Sequence, residues 1–191
     1  MGTAGELSNP IEDIQAAGAD TLAESLDDVR LVGAARGGDP AAFGQLYERY
    51  SRLVHGVLLS RVPPGEVEDL VQDVFLTAWR RLRDLRDASA FGAWLAAIAR
   101  NRAADHHRRP AIHDEVHEDI PAESGNTSEA LAILRAIQTL PDAYRETLVL
   151  RLVEGLSGPE IAERTGLTHG SVRVNLHRGM QQLREKLGKD L

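Results

Sequence analysis

The chain has 191 residues, of which 42% are hydrophobic and 27% charged, and it contains no cysteine. This composition is typical of a globular protein, and the lack of cysteine excludes disulfides, thiolate nucleophiles and cysteine-ligated zinc. The formal net charge of −7 argues, taken as a total, against a nucleic-acid partner.

No apolar run approaches the roughly 18 residues needed to span a bilayer. The N-terminus also lacks the basic stretch followed by an apolar stretch that is typical of a secretory signal. We therefore expect a cytoplasmic protein without membrane insertion.

The acidic residues are concentrated in two segments. Residues 1–30 hold seven acids and one Arg, and residues 110–130 hold six acids and neither Lys nor Arg. By contrast, residues 31–109 hold twelve Arg and nine acids, and residues 131–191 hold nine basic residues and seven acids. Of the 22 basic residues 20 are Arg, which suits contacts to phosphate and guanine, although the codon usage of a GC-rich genome would also favour Arg.

Composition divides the chain into four parts. Residues 1–25 are rich in Gly, Ala, Ser and acids, which predicts a mobile acidic leader that becomes helical from about residue 20. Residues 110–128 combine two prolines with clustered acids, which predicts a flexible linker. The expected domains are therefore 26–109 and 129–191.

The first domain shows helical spacing only. Apolar residues recur at intervals of three and four over residues 41–62, and the Pro63-Pro64-Gly65 run ends this helix. A second helix follows over 67–82 and a third from about Ala90. No segment alternates with period two, so we expect no strand. Four aromatic residues are assigned to packing: Phe43, Phe75, Trp79 and Trp94.

The second domain is predicted to contain four helices. Leu131 to Leu140 form an amphipathic helix, and another begins at Pro141 with Leu148 and Leu152 on its inner face. Ser157 and Glu160 have the spacing of a capping box that opens a short third helix. A tight turn at Gly166-Leu167 and a cap at Thr168 lead into the last helix.

A short helix, a turn with Gly and a longer helix constitute the helix-turn-helix pattern. The second helix of this motif places side chains against base edges in the major groove, where Arg can read guanine and Asn can read adenine. The alternative is a helical hairpin with an Arg-rich solvated face. The residues expected on the exposed face, besides His169, are Ser171, Arg173, Val174, Asn175, His177 and Arg178.

Two motif sets resemble a known family. The C-terminal set resembles region 4 of sigma-70 family factors, and it comprises Glu154-Gly155-Leu156-Ser157, Glu160-Ile161-Ala162, Thr165-Gly166-Leu167-Thr168 and Leu176-His177-Arg178. The N-terminal set resembles region 2 of the same factors, and it comprises Asp39-Pro40-Ala41-Ala42-Phe43, Glu68-Asp69-Leu70-Val71-Gln72-Asp73 and Phe91-Gly92-Ala93-Trp94-Leu95. The chain looks most like the extracytoplasmic-function (ECF) group, because it leaves no room for region 1.1 or a compact region 3.

The resemblance implies an all-α protein made of a region 2 helical bundle and a region 4 helix-turn-helix domain. It implies a detachable specificity subunit that binds core RNA polymerase, recognises the −35 and −10 promoter elements and helps to melt the DNA. It implies neither an enzyme nor a cofactor or metal site. The polymerase parts implied as partners are the beta-prime clamp helices and the beta flap, and an anti-sigma factor is a further candidate partner.

The resemblance also carries over site residues. Arg173, Val174, His177 and Arg178 fall where the group contacts the −35 element, while Val174 and Asn175 depart from the residues common there. Val174 can pack on a thymine methyl, so the preferred −35 sequence stays open. A solvated helix face would explain Arg100, Arg102, Arg108 and Arg109 one by one, but four Arg within ten residues at the end of one helix are better explained by contacts to phosphate. The set carried over for the −10 element comprises Arg83, Arg86, Arg100, Asn101, Arg102, Arg108 and Arg109.

Region 2.2 is implied to dock on the clamp helices through Asp69, Gln72 and Asp73, although acids near a helix N-terminus are also favourable by themselves. The acidic linker has two interpretations: a mimic of nucleic acid in the polymerase channel, or an ordinary solvated linker. The leader has three: a regulatory appendage, an anti-sigma contact or a disordered tail.

Three functions are alternatives to that of a sigma factor. A zinc hydrolase is suggested by His113 and His117 with Glu115 between them, but the Glu is not next to the first His and no third ligand is evident. A helix-turn-helix regulator that binds DNA alone as a dimer is the stronger rival, and the region-2-like half argues against it. The third is a sigma-like protein that binds polymerase without initiating.

Overall fold

The computed structural model describes residues 26–108 and 125–188, and all regular structure in these two ranges is helical. The predicted all-α class is confirmed. The leader 1–25, Arg109 and most of the predicted linker lie outside the described residues.

The N-terminal domain contains four helices: α1 (described over 26–36), α2 (Pro40–Leu59), α3 (Val67–Arg81) and α4 (Phe91–Arg108). Helix α2 begins where the Asp39 carboxylate accepts hydrogen bonds from the N–H groups of Ala41 and Ala42, at 2.9 and 3.3 Å. Pro40 occupies the first helical position, where its missing N–H costs nothing. These bounds lie within a few residues of the predicted ones, and short 3₁₀ turns at 82–84 and 88–90 connect α3 to α4.

The helices α2, α3 and α4 pack on one another around buried apolar side chains, among them Leu46, Leu53, Val74, Phe91 and Leu95. The predicted aromatic packing is confirmed for Phe75, which is buried and meets Phe43 edge to face. Trp79 also contacts Phe43, with ring centroids 4.8 Å apart, but it is 37% exposed and lies at the rim of the core.

Buried polar contacts attach α1 to α2. The Asp28 carboxylate is buried and accepts hydrogen bonds from the Arg49 guanidinium and the Tyr50 hydroxyl. Burial, together with the neighbouring Asp28, raises the pKa of Tyr50 well above its ordinary value. Arg36 donates to the carbonyls of Leu82 and Leu85, which fixes α1 against the turn that follows α3.

The C-terminal domain contains α5 (Gly125–Gln138), α6 (Asp142–Leu152), α7 (Gly158–Thr165) and α8 (His169–Leu187). Helix α5 begins at Gly125, inside the segment predicted as linker. The inward position predicted for Leu152 is wrong, since Leu152 is 49% exposed. The chain turns back just after it, with Gly155 at φ +69°, and Leu156 beyond the turn is buried instead.

The predicted helix-turn-helix is present as α7 and α8. In the capping box, the N–H of Ser157 donates to Glu160 Oε2 (2.8 Å), and the N–H of Glu160 donates to Ser157 Oγ (3.3 Å). Gly166 ends α7 in the left-handed region at φ +74°, where a side chain would be strained. Thr168 Oγ1 then accepts from the N–H of Ser171 and opens α8.

The two domains also pack on each other. Helix α2 contacts α6 and helix α4 contacts α7, so the buried residues of both domains form one continuous cluster. In the two described ranges, no helix combines the length and apolar character that crossing a bilayer requires.

Candidate nucleic-acid interface

The N-terminal half of α8 has one buried and one exposed face. Val172 is buried, and Leu176 packs against the core from a half-buried position, which anchors the helix on its inner side. The sequence therefore places its polar residues outward. The predicted residues that are exposed are Ser171, Arg173, Val174, His177 and Arg178, whereas Asn175 is half-buried.

The exposed face of α8 is basic and has no charge partner. Arg173, Val174, His177 and Arg178 line one shallow depression. Across the described ranges, neither Arg173 nor Arg178 takes part in a hydrogen bond or ion pair. Ser171 Oγ lies 2.8 Å from Thr168 Oγ1, so its hydroxyl belongs to the helix cap. Free guanidiniums at the start of a recognition helix can donate to phosphate or to guanine O6 and N7.

A second polar surface lies between α3 and α4. Arg83 and Arg86 are exposed in the connection, and Asn101 is exposed on α4. None of the three forms a hydrogen bond or ion pair with another described residue. The Asn101 amide can both donate to and accept from a base edge.

The other described arginines of the predicted −10 set have acidic partners. Arg100 donates to Glu146, with Nε–Oε2 and Nη2–Oε1 distances of 3.0 and 2.7 Å. Arg102 pairs with Asp73 of α3, and Arg108 pairs with Asp105 one turn earlier at 2.8 Å. The hydrogen bonds that Arg100 donates to Glu146 raise the pKa of Arg100 above its ordinary value. Of the six described members of the predicted −10 set, three are therefore unpaired among the described residues and three are already engaged.

The predicted polymerase contacts on α3 also include both exposed residues and one that already has an ion-pair partner. Asp69 and Gln72 are exposed, while Asp73 is half-buried and holds Arg102. This ion pair directly connects one residue of the predicted polymerase contact with one of the predicted −10 set.

Two acidic residues of α6 and its C-terminal turn were not among the predicted site residues. Glu146 and Glu154 are both buried, at 5% and 7% exposure. Glu146 binds Arg61 (2.8 Å) as well as Arg100, and Glu154 binds Nδ1 of His55 (2.6 Å). Glu146 lies four residues before buried Leu150, on the same face of α6, and this spacing was the available signal for Glu146. Glu154 lies beyond the end of α6, so helical spacing gave no signal for it.

Within the described ranges, no group of three or more His, Cys, Asp or Glu side chains could hold a metal ion. The candidate zinc residues His113, Glu115 and His117 lie outside those ranges.

Two family models match the chain in the order of its domains. Sigma-70 region 2 matches residues 46–111, and sigma-70 region 4 matches residues 130–183. The fold, the helix-turn-helix and these matches together define a protein built from sigma-70 regions 2 and 4.

Curated relatives extend the similarity over most of the chain. The ECF RNA polymerase sigma-E factors of Haemophilus influenzae and Escherichia coli K12 are each 32% identical over 185 residues. The alignments cover 87% of this chain and 98% and 97% of the two relatives. A solved structure, that of CnrH in complex with the cytosolic domain of CnrY, matches with a TM-score of 0.62 and 30% identity over 86% of this chain and 99% of that one.

The chain belongs to the ECF family of RNA polymerase sigma factors. It is an alternative sigma factor that binds core RNA polymerase and directs promoter-specific transcription initiation. Sigma factors are transcription initiation factors that act without enzymatic chemistry of their own.

Proposed function

We propose that α8 of the C-terminal domain reads the −35 element through Ser171, Arg173, Val174, Asn175, His177 and Arg178. The observation that carries the proposal is the unpaired, exposed basic face at the start of a capped recognition helix. Arg173 and Arg178 supply donors for guanine or phosphate, and Val174 supplies an apolar surface for a thymine methyl.

The −10 element is assigned to the connection between α3 and α4 and to the exposed face of α4. The connection is assigned to a base that is extruded from the −10 strand. Extruding a base costs a few kcal/mol, which contacts with its edge and stacking must offset. Asn101 supplies a base-edge contact, and the surrounding arginines hold the backbone. The arginines assigned to the backbone are Arg100, Arg102, Arg108 and Arg109, whereas Arg83 and Arg86 belong to the connection that is assigned to the extruded base.

The polymerase contacts are likewise assigned to both domains. Asp69, Gln72 and Asp73 of α3 are assigned to basic residues of the clamp helices, and the C-terminal domain is assigned to the beta flap. Exposure of Asp69 and Gln72 on one helix supports the first assignment.

The remaining assignments concern the whole chain. Residues 26–109 and 129–191 act as separate domains, residues 110–128 connect them through the polymerase, and residues 1–25 form an acidic appendage. The protein acts in the cytoplasm and catalyses no reaction itself. Because the similar CnrH is described in complex with the cytosolic domain of CnrY, we also propose an anti-sigma protein as a partner.

Run-off transcription tests this function. Purified chain and core polymerase, supplied with promoters from the chain's own genome, should give transcripts that core alone does not. A complete failure to initiate with competent core would contradict the proposal. The rival, a stand-alone regulator, predicts tight and sequence-specific DNA binding without core, which a gel-shift experiment measures directly.

A further inference from the structure

The connection between α3 and α4 is held by a single arginine of α1. Arg36 is the last helical residue of α1, and its Nε donates to the carbonyl oxygen of Leu82 at 3.1 Å, while its Nη2 donates to the carbonyl oxygen of Leu85. These partners lie 46 and 49 positions further along the chain. One planar guanidinium with donors in fixed directions therefore fixes two backbone groups that are three residues apart.

The two carbonyls belong to residues whose side chains are turned into the core. Leu82 and Leu85 are buried, at 2% and 6% exposure. A carbonyl in such a segment costs free energy unless it finds a donor, and Arg36 supplies a charged one. Leu82 also caps the end of α3, where the helix dipole makes a cation favourable. The site of Arg36 thus suits both its hydrogen bonds and its charge.

The arginines next to these anchors are left in solvent. Arg83 lies between the two held carbonyls and Arg86 directly follows them, and both are exposed. Leu85 has extended dihedral angles (φ −68°, ψ 112°), so its side chain enters the core while the chain continues along the surface. At the α4 end, Asp87 Oδ1 accepts from the N–H of Ser89 at 3.0 Å. The connection therefore has a local hold at its α4 end, and α1 provides the hold at its α3 end.

We propose that Arg36 is a positioning residue for −10 recognition: its guanidinium fixes the backbone of residues 82–85, and with it the directions in which Arg83 and Arg86 meet the extruded base. The inference rests on the proposed function, which assigns this connection to that base. Arg36 acts through the connection, because its Nε and Nη2 are engaged with protein carbonyls. A connection that is fixed before DNA arrives loses less conformational freedom on binding than a mobile one.

Two variants of Arg36 and one control separate this role from a general effect of charge. Arg36→Gln removes the charge and the fork of donors. Arg36→Lys keeps the charge but lacks the planar fork that holds two carbonyls in fixed directions. Arg30→Gln is the matched control, because Arg30 is an exposed arginine of the same helix that pairs with Asp27 one turn earlier.

The first measurement reports on the connection and needs no DNA. Trypsin cleaves after Arg83 and Arg86 once this segment opens locally, so the cleavage rates, resolved by mass spectrometry, report how firmly it is held. We expect cleavage about fivefold faster in Arg36→Gln, which corresponds to the loss of about one hydrogen bond, and an intermediate rate in Arg36→Lys. Arg30→Gln should match the wild-type chain, and cleavage after Arg178 of α8 should be the same in all four proteins.

The second measurement reports on base recognition by the holoenzyme. The probe is single-stranded DNA that carries the −10 non-template sequence of a promoter transcribed by the holoenzyme, either intact or with one base removed. The ratio of the two dissociation constants measures recognition of that base separately from contacts to the backbone. Where this ratio is largest, Arg36→Gln should lower it about fivefold, the lower end of what one base contact contributes. Arg36→Lys should recover part of the ratio, and discrimination at the −35 element should not change.

Equal cleavage rates in the wild-type chain and Arg36→Gln would overturn the inference, and so would faster cleavage without a lower ratio. If cleavage after Arg178 rises equally, Arg36→Gln has unfolded as a whole, and wild-type values for Arg36→Lys in both measurements would then overturn it. Failure of the proposed function gives a different result. The ratio would then stay unchanged when Arg83→Ala and Arg86→Ala are combined, whereas the cleavage rates still report whether Arg36 holds the connection.

Discussion

Arg100 of α4 and Glu146 of α6 form a bidentate ion pair across the interface between the two domains, with N–O distances of 3.0 and 2.7 Å. The pair joins a residue assigned to promoter DNA with a buried acid of the domain assigned to the −35 element. Carboxylate and phosphate oxygens bind a guanidinium with similar geometry. While this pair is formed, Nε and Nη2 of Arg100 are therefore not available to a phosphate.

Arg173 is expected to read a base of the −35 element. Arg173→Ala should weaken discrimination at one −35 position by about 1–3 kcal/mol, because a bidentate contact to guanine is lost. Competition binding of the holoenzyme to −35 duplexes with single substitutions measures this. Arg135→Ala, an exposed Arg of α5, is the matched control and should change nothing. An unchanged −35 preference in Arg173→Ala would show that Arg173 does not read a base.

Val174 is 42% exposed within the basic face of α8 and is expected to pack on a thymine methyl. Replacing the contacted thymine by uracil removes that methyl and should weaken binding by about 0.8 kcal/mol, or about fourfold. The sensitivity should disappear in Val174→Ala and persist in Arg178→Ala. Equal binding of thymine and uracil at every −35 position by the unaltered protein would contradict this contact.

Ser157 should stabilise the helix-turn-helix through its capping box. Ser157→Ala removes the oxygen that accepts from the N–H of Glu160, and the free energy of unfolding should fall by about 0.5–2 kcal/mol. Chemical denaturation followed by circular dichroism provides the value. Ser51→Ala, inside α2, is the control and should be neutral or slightly stabilising, since Ala is the better helix former. An equal decrease in the free energy of unfolding in both variants would show that the capping box is not the cause of the decrease.

His55 should make domain closure depend on pH. Its Nδ1 lies 2.6 Å from Glu154 Oε1 in the C-terminal domain, its Nε2 lies 3.8 Å from Glu68 of α3, and Arg52 binds the nearby Glu154 carbonyl. The hydrogen bond in which the Glu154 carboxylate accepts from His55 raises the pKa of His55 above the ordinary 6.5. The protonated form therefore stabilises the closed state fully below pH 6.5, and this stabilisation is lost as the pH rises through the raised pKa.

Energy transfer between fluorescent labels at Glu48→Cys and Lys186→Cys, one exposed position in each domain, should decrease as the pH rises from 6 to about 8.5 when His55 is present. His55→Gln should flatten this dependence, whereas His169→Gln, at the exposed start of α8, should preserve it. A wild-type curve without slope over this range would exclude His55 as the titrating group.

Local patterns determined most of the secondary structure. Apolar spacing located the helices, Pro63-Pro64-Gly65 marked the end of α2, and Ser157 with Glu160 marked the start of α7. Such signals work because caps, turns and helix faces involve residues three or four positions apart. The exposed face of α8 was predictable for the same reason, whereas Leu152 was misplaced because its exposure depends on the turn that follows it.

Tertiary structure alone decided which ionisable side chains that are distant in the sequence pair with each other. Glu146 and Arg100 are 46 positions apart, and Glu154 and His55 are 99 positions apart, so no local period relates them. The tight fit at Gly56 and Gly92 likewise comes from other helices, since an added Cβ would lie 2.7 Å from Leu150 Cδ2 at position 56 and 2.8 Å from Tyr50 Cε1 at position 92. The sequence by itself determined the helices, the helix-turn-helix and the family. The packing of one domain on the other decided that Arg100, one of the arginines proposed to contact the promoter, is engaged by Glu146, because distant parts of the chain bring these two side chains together.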